Sequence, residues 1–400
     1  MQRIKAFLLK DHISERRVDV IPGIRVMAIA IIAWFHIWQQ SWLSPYLRTA
    51  TKTYDFLAIP RAGYLWVDMF ILLSAFQLFL PHAKAMLDHT KAPSTLSFFQ
   101  KRIQRITPSY YLSIVICLIL ALASHSFRSP DSMVRDILTH LTFTQTFFID
   151  TYLWTNLNVV LWTVGILVQF YLVFPIMAKG FRKSPIITSI VMVVGAFTYR
   201  YFFVNANPDP GMYVNQFPAF LDVLALGMLT ALAYVIFQRR TTYQYFSPLS
   251  TVLSIVSLIL IYLAMKDLAS VGGHTQIQQW QGKNRFYAAV LFSVFLFTTA
   301  YSLRWWRWLF NNKIMIFLAS VSYNYYIWHQ YIAVKLRAWH FPPSISDTPH
   351  MDGEKPWQYI FTACAFLIPL AFSILVTYLY DKPVGKILQK AMQGNKADTP

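Results

Sequence analysis

Charged residues are scarce in this sequence, and acidic residues are the scarcest of them. Asp, Glu, Lys and Arg make up 13% of the 400 residues, with 17 acidic side chains against 35 basic ones. Cysteine occurs twice, at Cys117 and Cys364, each time inside an apolar run. Two isolated cysteines, each within an apolar run, argue against a disulfide framework and against a thiolate metal site. We expect no resident metal.

Apolar residues take the place of the missing charge. Hydrophobic residues make up 56% of the chain and aromatic residues 17%, and long apolar stretches recur throughout. This composition predicts an all-α, polytopic transmembrane helical bundle. A membrane barrel is disfavoured because the apolar runs are continuous and do not alternate. The net charge of +18 would suit nucleic acid, but the basic residues cluster in short loops beside apolar runs, so no nucleic-acid partner is predicted.

Ten membrane spans are predicted. Their approximate bounds are 22–42, 64–81, 108–124, 157–178, 185–203, 217–237, 249–266, 286–303, 314–336 and 357–379. Proline at positions 22, 81, 108 and 218 is expected at or near span ends, where it is tolerated. With the N-terminus inside, the inner segments hold 22 Lys and Arg residues and the outer segments 12. This bias predicts that both termini are cytoplasmic.

The predicted organisation is a cytoplasmic leader over 1–21, one transmembrane domain over 22–380 and a short cytoplasmic tail over 381–400. No cleavable signal peptide is expected before the first span. Two longer outer loops are predicted. The loop over 125–156 contains an amphipathic stretch at 133–148 that either lies on the surface or dips back into the protein, and the proline-rich segment 337–356 is predicted to be irregular.

Arg25 and His36 lie eleven residues apart in the first predicted span. An ionisable side chain in a membrane helix marks a candidate functional site. Eleven residues rise about 16 Å, roughly half the bilayer core, and amount to about three turns. The two side chains therefore share a face, which suggests a shared cavity. A neutral imidazole such as His36 can accept a hydroxyl proton; a histidine hydrogen-bonded between helices is the alternative.

Arg102 and Arg105 form a second basic site, at the predicted cytoplasmic entrance of the third span. Their i, i+3 spacing places both on one helical face. Paired arginines suit phosphate groups through charge and bidentate geometry. Anchoring to anionic lipid explains the same pair. Composition alone leaves both interpretations open.

Other polar residues interrupt the later spans. Asp68 and Asp222 are carboxylates predicted in the outer halves of spans two and six, and each fits either a structural ion pair or a catalytic role. Asp68 could pair with a cation or orient a histidine. On span nine, Ser320, Ser322, Asn324 and His329 imply a face that does not contact lipid. His329 either lines a substrate path or hydrogen-bonds between helices.

Taken in order along the chain, these segments resemble the acyltransferase-3 family of integral membrane acyltransferases. Arg25 and His36 fit the family's Arg-x10-His signature, and Arg102 with Arg105 fits its Arg-x-x-Arg motif. Three further segments are similar to family motifs: Val67-Asp68-Met69-Phe70 through Ser74-Ala75-Phe76, Ser322-Tyr323 through His329, and Asp381-Lys382-Pro383.

One segment departs from the family pattern. Residues 162–171, Trp-Thr-Val-Gly-Ile-Leu-Val-Gln-Phe-Tyr, align with a family segment that carries two acidic residues, and those positions are Leu167 and Val168 here. The carboxylate must then be absent or supplied elsewhere, with Asp68 or Asp222 as candidates. Ala75 also replaces the family's usual glycine.

The resemblance implies that an acyl group, commonly acetyl, moves from cytoplasmic acyl-CoA to a hydroxyl of a cell-surface glycan, glycolipid or similar acceptor. The bilayer, acyl-CoA and the acceptor are the expected partners, the bacterial cytoplasmic membrane is the expected location, and a homo-oligomer is left open. The candidate catalytic residues are His36, Arg25 and Asp68; the candidate donor-binding residues are Arg25, Arg102 and Arg105; the candidate substrate-path residues are Ser74, Asp222, Ser322, Tyr323 and His329.

The alternative function is a membrane transporter or flippase that uses the same intramembrane charges as a substrate or proton path. The sequence shows no inverted repeat, which counts against it.

Overall fold

The computed structural model describes residues 18–49, 51–239 and 243–394, and fifteen α-helices lie in this part of the chain. They are α1 Ile21–Ser41, α2 Ala58–Arg61, α3 Trp66–Leu87, α4 Thr95–Ala123, α5 Pro130–Leu141, α6 Ile149–Tyr152, α7 Trp162–Lys183, α8 Pro185–Arg200, α9 Leu221–Gln238, α10 Ser247–Ser270, α11 His274–Tyr301, α12 Arg304–Trp308, α13 Lys313–Ala338, α14 Lys355–Leu375 and α15 Lys382–Gly394. One short antiparallel hairpin joins β1 Tyr46–Arg48 to β2 Thr53–Asp55, with Tyr46 opposite Asp55.

The predicted all-α membrane bundle is confirmed, since eight helical segments of the described chain are long and apolar enough to cross a membrane. These segments are Ile21–Ser41, Gly63–Leu87, Thr95–Ala123, Val159–Lys183, Pro185–Asn205, Phe217–Gln238, Ser247–Ser270 and Lys355–Met392. The predicted spans 286–303 and 314–336 also fall on long helices, α11 and α13. Both helices carry interior polar residues, such as Arg285 and His329, which lower their apolar content. The count of ten spans stays a prediction.

The helices continue past two of the predicted span ends. Pro81 lies inside α3, which continues to Leu87, and Pro108 lies inside α4, which begins at Thr95. Proline is tolerated inside membrane helices where neighbouring helices satisfy the freed backbone groups. As a result, Arg102 and Arg105 belong to a continuous helix and keep a fixed helical spacing.

The core is centred on α3. In the most apolar stretch of the segment that contains α3, 72% of the residues are buried, against 22% in the segment that contains α8. The exposed side chains of α8 are large and apolar, among them Ile186, Ile190 and Val194. An apolar outer face of this kind suits a hydrocarbon environment. The helices thus sort into a buried centre and a periphery that faces lipid.

Close backbone approaches fix the central helices. A side-chain carbon at Gly227 of α9 would lie 2.5 Å from the carbonyl oxygen of Leu72 and 2.8 Å from the Cβ of Ala75, both in α3. Only glycine therefore allows α9 this close to α3. At the start of α1, the N–H of Gly23 donates to the carbonyl of Phe310 at 2.9 Å.

Both long loops have the predicted general character. The stretch 133–148 lies partly in α5, and the following Gln145 and Thr146 are buried, so this segment dips into the protein. Gln145 donates to the carbonyl of Leu161 at 3.0 Å, which ties the loop to the start of α7. Residues 339–354 contain no helix or strand. The predicted domain boundaries and the cytoplasmic placement of the termini stay predictions, and residues 1–17 of the leader and 395–400 of the tail lie outside the described residues.

Candidate functional site

Three arginines meet in a cavity of about 60 Å³, here called the arginine cavity. Arg25 comes from α1, and Arg102 and Arg105 come from α4. The guanidinium of Arg25 donates to the side-chain oxygen of Gln77 on α3. The lining residues within the described chain include no Asp or Glu. A small cavity with three positive charges and no lining carboxylate is suited to an anion, and to phosphate groups in particular.

The predicted residues Ser74, Ser322 and Tyr323 line the same cavity. Each hydroxyl already donates to a backbone carbonyl: Ser74 to Phe70 at 3.0 Å, Ser322 to Ala319 at 2.9 Å and Tyr323 to Ile106 at 3.1 Å. Their oxygen lone pairs stay available to accept hydrogen bonds. Motifs on four different helices thus converge at one place.

Leu167 also lines the arginine cavity, whereas Val168 packs against the apolar core. The position where the family pattern has a carboxylate therefore adjoins the three arginines. Asp381, the last residue of the π-helical segment Val376–Asp381 that precedes α15, lies outside the lining and accepts a hydrogen bond from Ser109 at 2.8 Å. Leucine at 167 leaves the lining without a negative charge.

His36 lines a second and larger cavity of about 430 Å³, here called the histidine cavity. The Nδ1 of His36 lies 3.2 Å from the side-chain oxygen of Gln39, one turn further along α1. If Gln39 accepts this bond, the proton resides on Nδ1 and Nε2 keeps its lone pair. That tautomer has the basic nitrogen that proton abstraction requires.

The predicted shared cavity for Arg25 and His36 is wrong. The two residues lie on one helix, yet Arg25 lines the arginine cavity and His36 lines the histidine cavity. Among the described residues, Tyr326 is the only one that lines both cavities. The face of α1 is shared as predicted, but side chains from α3 and α13 divide the space beside it.

His329 is fully buried beside His36, with ring centroids 5.3 Å apart. Its Nδ1 lies 2.7 Å from the carbonyl oxygen of Tyr326 and 3.2 Å from that of Tyr325. Because a carbonyl only accepts, this Nδ1 carries the proton and Nε2 holds a lone pair. No partner for Nε2 is found in the described chain, and His329 lines neither cavity.

Asp68 pairs with a cation and does not orient His36. Its carboxylate lies 3.3 Å from the Nε of Arg285 on α11, and both side chains are buried. Arg285 also donates to the carbonyl of Val214 at 2.5 Å and stands 4.0 Å above the ring of Phe220. Asp68 and Arg285 both line the histidine cavity. The pair therefore adds two opposite charges to the lining of the histidine cavity, and these charges offset each other.

Asp222 forms a second buried ion pair, away from both cavities. Its two oxygens accept from Arg200 at 2.9 and 2.6 Å, and one of them also accepts from the N–H of Val223 at 2.9 Å. Neither Asp222 nor Arg200 is among the lining residues of the two cavities. The geometry is that of a structural ion pair.

Several polar partners were missed by sequence reasoning. Arg200 and Arg285 were counted with the outer segments, although each is buried against a carboxylate. The available signal was the pairing rule for intramembrane charges, since two predicted buried carboxylates require two cations. Gln39 and Gln77, lone amides within apolar helices, gave a weaker signal for the partners of His36 and Arg25.

Metal ligands are not grouped in the described residues. No cluster of three or more His, Cys, Asp or Glu side chains there could hold a metal ion. The ionisable side chains that line the two cavities are arginine, histidine and tyrosine, together with one carboxylate, Asp68, which is paired with Arg285.

The fold and the two cavities define an integral membrane protein built as an α-helical bundle with polar internal sites. The protein-family model whose description is "Acyltransferase domain" matches residues 19–376 of this chain. The chain therefore belongs to the acyltransferase-3 family, as the ordered motifs predicted.

Similar curated proteins carry acetyltransferase names. One relative is a Staphylococcus aureus strain COL protein that is provisionally named an O-acetyltransferase. It is 21% identical to this chain over an alignment that covers 82% of this chain and 52% of its own length. A provisionally named acetyltransferase of Acidianus two-tailed virus is 24% identical over 81% of this chain and 86% of its own. The peptidoglycan O-acetyltransferase of Listeria monocytogenes is 22% identical over 91% and 56%.

The chain thus spans about half the length of the Staphylococcus and Listeria relatives. No solved structure matches it.

Proposed function

We propose that this membrane acyltransferase moves an acetyl group from cytoplasmic acyl-CoA to a hydroxyl of a cell-surface glycan or glycolipid. The observation that carries the proposal is the succession of two cavities along α1, one lined by Arg25, Arg102 and Arg105 and the next by His36. The first offers positive charge for a polyanionic donor, and the second offers a base.

The donor side rests on the arginine cavity. Acyl-CoA carries several phosphates, which arginine binds through charge-assisted bonds. The loop-charge bias predicts that the start of α4, and with it Arg102 and Arg105, faces the cytoplasm. Arg105 is exposed at the surface of the described chain, which supports access to the cavity from that side. The acyl end would then extend inward along α1 toward His36.

The acceptor side rests on the size and lining of the histidine cavity. At about 430 Å³ it is large enough for a sugar unit, and its polar lining includes Gln278, Gln281 and Asn215. Amide side chains of this kind bind hydroxyl groups as donors and acceptors. The Listeria relative's name gives peptidoglycan as its acceptor, which supports a glycan here.

The proposed step is a direct transfer. The acceptor oxygen attacks the thioester carbonyl carbon, and its proton passes to Nε2 of His36. The C–S bond breaks, the sulfur leaves with the electron pair, and the leaving thiolate takes the proton from the imidazolium. The products are an ester and free CoA thiol. Transfer through an acyl-histidine on His36 is the competing route, and a labelled acyl group trapped on His36 without acceptor would establish that route.

The test compares surface glycans, by mass spectrometry, from cells in which the gene is deleted and then restored. Restoration should add one acetyl mass per modified unit. Membrane vesicles supplied with acetyl-CoA labelled in the acetyl group should transfer the label. His36→Ala should lower the transfer rate by about 10²–10⁴-fold, and Arg102→Ala should raise the KM for acetyl-CoA.

Lys101→Ala is the matched control, because Lys101 is exposed on the same helix and lies outside the arginine cavity. Full transfer by His36→Ala would refute the role of the histidine. Gene-dependent acetylation without label transfer from acetyl-CoA would refute the donor and leave the acyltransferase activity standing.

A further inference from the structure

A third cavity, of about 60 Å³, lies where the end of α3, the start of α4 and the end of α7 come together, and is here called the rim cavity. The polar residues of its lining are His82, Thr95, Lys179 and Arg182. Lys179 and Arg182 are exposed, so both cations can reach a solute that enters from the surface. Within the described chain the lining includes no Asp or Glu. A cavity lined by charge of one sign favours a ligand of the other sign, here an anion.

His82 supplies a buried polar atom to the rim cavity. Its residue is 9% exposed, and its imidazole packs against Phe79 and Phe174, with ring centroids 6.0 and 5.3 Å away. Its Nδ1 is buried and has no hydrogen-bond partner in the described chain. Because buried polar atoms are normally hydrogen-bonded, this nitrogen points to a ligand that pairs with it. With the proton on Nδ1, the imidazole donates to an anion oxygen.

The start of α4 adds a further attraction for an anion. Thr95 is the first residue of this 29-residue helix and lines the rim cavity. Backbone N–H groups in the first turn of a helix lack partners within the helix, and the helix dipole places partial positive charge there. Phosphate groups bind at such N-termini. Two side-chain cations, a buried imidazole and a helix N-terminus thus meet at one cavity, and phosphate suits all of them.

The rim cavity adjoins the arginine cavity at the ring of Phe98. Phe98 lines the rim cavity, and Arg102, one turn further along α4, lines the arginine cavity. The guanidinium carbon of Arg102 lies 5.9 Å from the centroid of the Phe98 ring. The two cationic sites are therefore neighbours along one helix. In CoA, the diphosphate and the 3′-phosphate are attached to the same ribose, so they are neighbours in the same way.

We propose that the rim cavity binds the 3′-phosphate of acyl-CoA while the arginine cavity binds the diphosphate. The inference rests on the proposed function and adds Lys179, Arg182 and His82 as donor-binding residues. A phosphate monoester carries about −1.5 to −2 charge at pH 7, which matches two cations. The phosphodiester of a lipid such as phosphatidylglycerol carries a single negative charge and matches them less well.

The test measures donor binding and needs no acceptor. The purified full-length chain in a nonionic detergent binds acetyl-CoA labelled in the acetyl group, and unlabelled CoA or 3′-dephospho-CoA competes with the label. The two competitors differ only in the 3′-phosphate. We expect the Kd of 3′-dephospho-CoA to exceed that of CoA about tenfold or more, because its charge-assisted hydrogen bonds are lost.

The variants test the named residues. Arg182→Ala and Lys179→Ala should each raise the Kd of CoA about threefold to tenfold and leave that of 3′-dephospho-CoA unchanged. Both side chains are exposed, so their removal should not disturb the fold. His82→Phe keeps an aromatic ring but removes the nitrogen, and should act in the same direction. Lys183→Ala is the matched control and should change neither Kd, because Lys183 is exposed on α7 and does not line the rim cavity.

Three outcomes overturn the 3′-phosphate site alone. The first is equal competition by CoA and 3′-dephospho-CoA with the wild type, and the second is an unchanged ratio of the two Kd values in Arg182→Ala and Lys179→Ala. The third is displacement of the label by dioctanoyl phosphatidylglycerol from the wild type but not from Arg182→Ala, which would assign the cavity to a lipid phosphate. A wild type that binds no acetyl-CoA overturns the proposed donor as well, so the two failures are distinguishable.

Discussion

The buried pair Asp222–Arg200 gives a prediction about stability that is independent of activity. Removing one partner of a buried ion pair costs about 3–5 kcal/mol, because the other charge is left uncompensated. Asp222 accepts three hydrogen bonds, two from Arg200 and one from the N–H of Val223. Asp68 meets Arg285 through a single contact at 3.3 Å. We therefore expect Asp222→Ala to cost about 5 kcal/mol and Asp68→Ala about 3 kcal/mol.

The assay is denaturant unfolding of the purified variants in one detergent, followed by tryptophan fluorescence. The double variant Asp222→Leu with Arg200→Met removes both charges and should recover most of the loss. Asp150→Ala is the control, because its ion pair with Arg135 is exposed and should change the free energy of unfolding by less than about 1 kcal/mol. The reasoning fails if Asp222→Ala costs no more than Asp150→Ala, or if the double variant is no more stable than the single one.

Three further predictions concern packing, the candidate base and the donor cavity. Gly227→Ala should destabilise the protein by about 1–3 kcal/mol through overpacking, measured in the same unfolding assay. Gly272→Ala is the control and should leave the free energy of unfolding unchanged, because a carbon added there meets nothing within 4 Å. Gln39→Ala removes the acceptor for the imidazole of His36 and should lower the transfer rate about threefold to tenfold; an unchanged rate would exclude a positioning role. Leu167→Glu places a carboxylate in the arginine cavity and should raise the KM for acetyl-CoA at least about tenfold. Leu167→Gln is similar in size but neutral, so it should raise the KM far less. Equal effects of the two variants would show that charge is not the cause.

The class of fold followed from the sequence because apolar composition and run length respond to one dominant constraint, the bilayer. The pairing of Arg102 with Arg105 was also predictable, since helical periodicity alone places both on one face. Helix ends were less accessible. Pro81 and Pro108 read as boundaries, but membrane helices continue through proline when neighbours satisfy the backbone, and neighbours are not visible in a sequence.

The candidate site was predictable as a set of residues but not as a geometry. Periodicity placed Arg25 and His36 on one face of α1, yet the division between their cavities depends on Phe70 and Tyr326, which come from helices far away in sequence. The partner of Asp68 was equally hidden, because Arg285 lies 217 residues later. Local patterns identify which side chains point inward, and tertiary packing decides which of them meet.

The contact at Gly227 has a mechanical consequence. Two helices in backbone contact cannot slide past each other without a collision, so α3 and α9 are expected to move as one rigid body. Phe70 belongs to that body through α3, whereas Tyr326 belongs to α13, which packs against α1. The rings of Phe70 and Tyr326, stacked with centroids 5.4 Å apart, therefore lie where the α3–α9 pair meets the α1–α13 pair. A movement of one pair against the other during a reaction cycle would change the separation of these two rings, while each pair keeps its own packing.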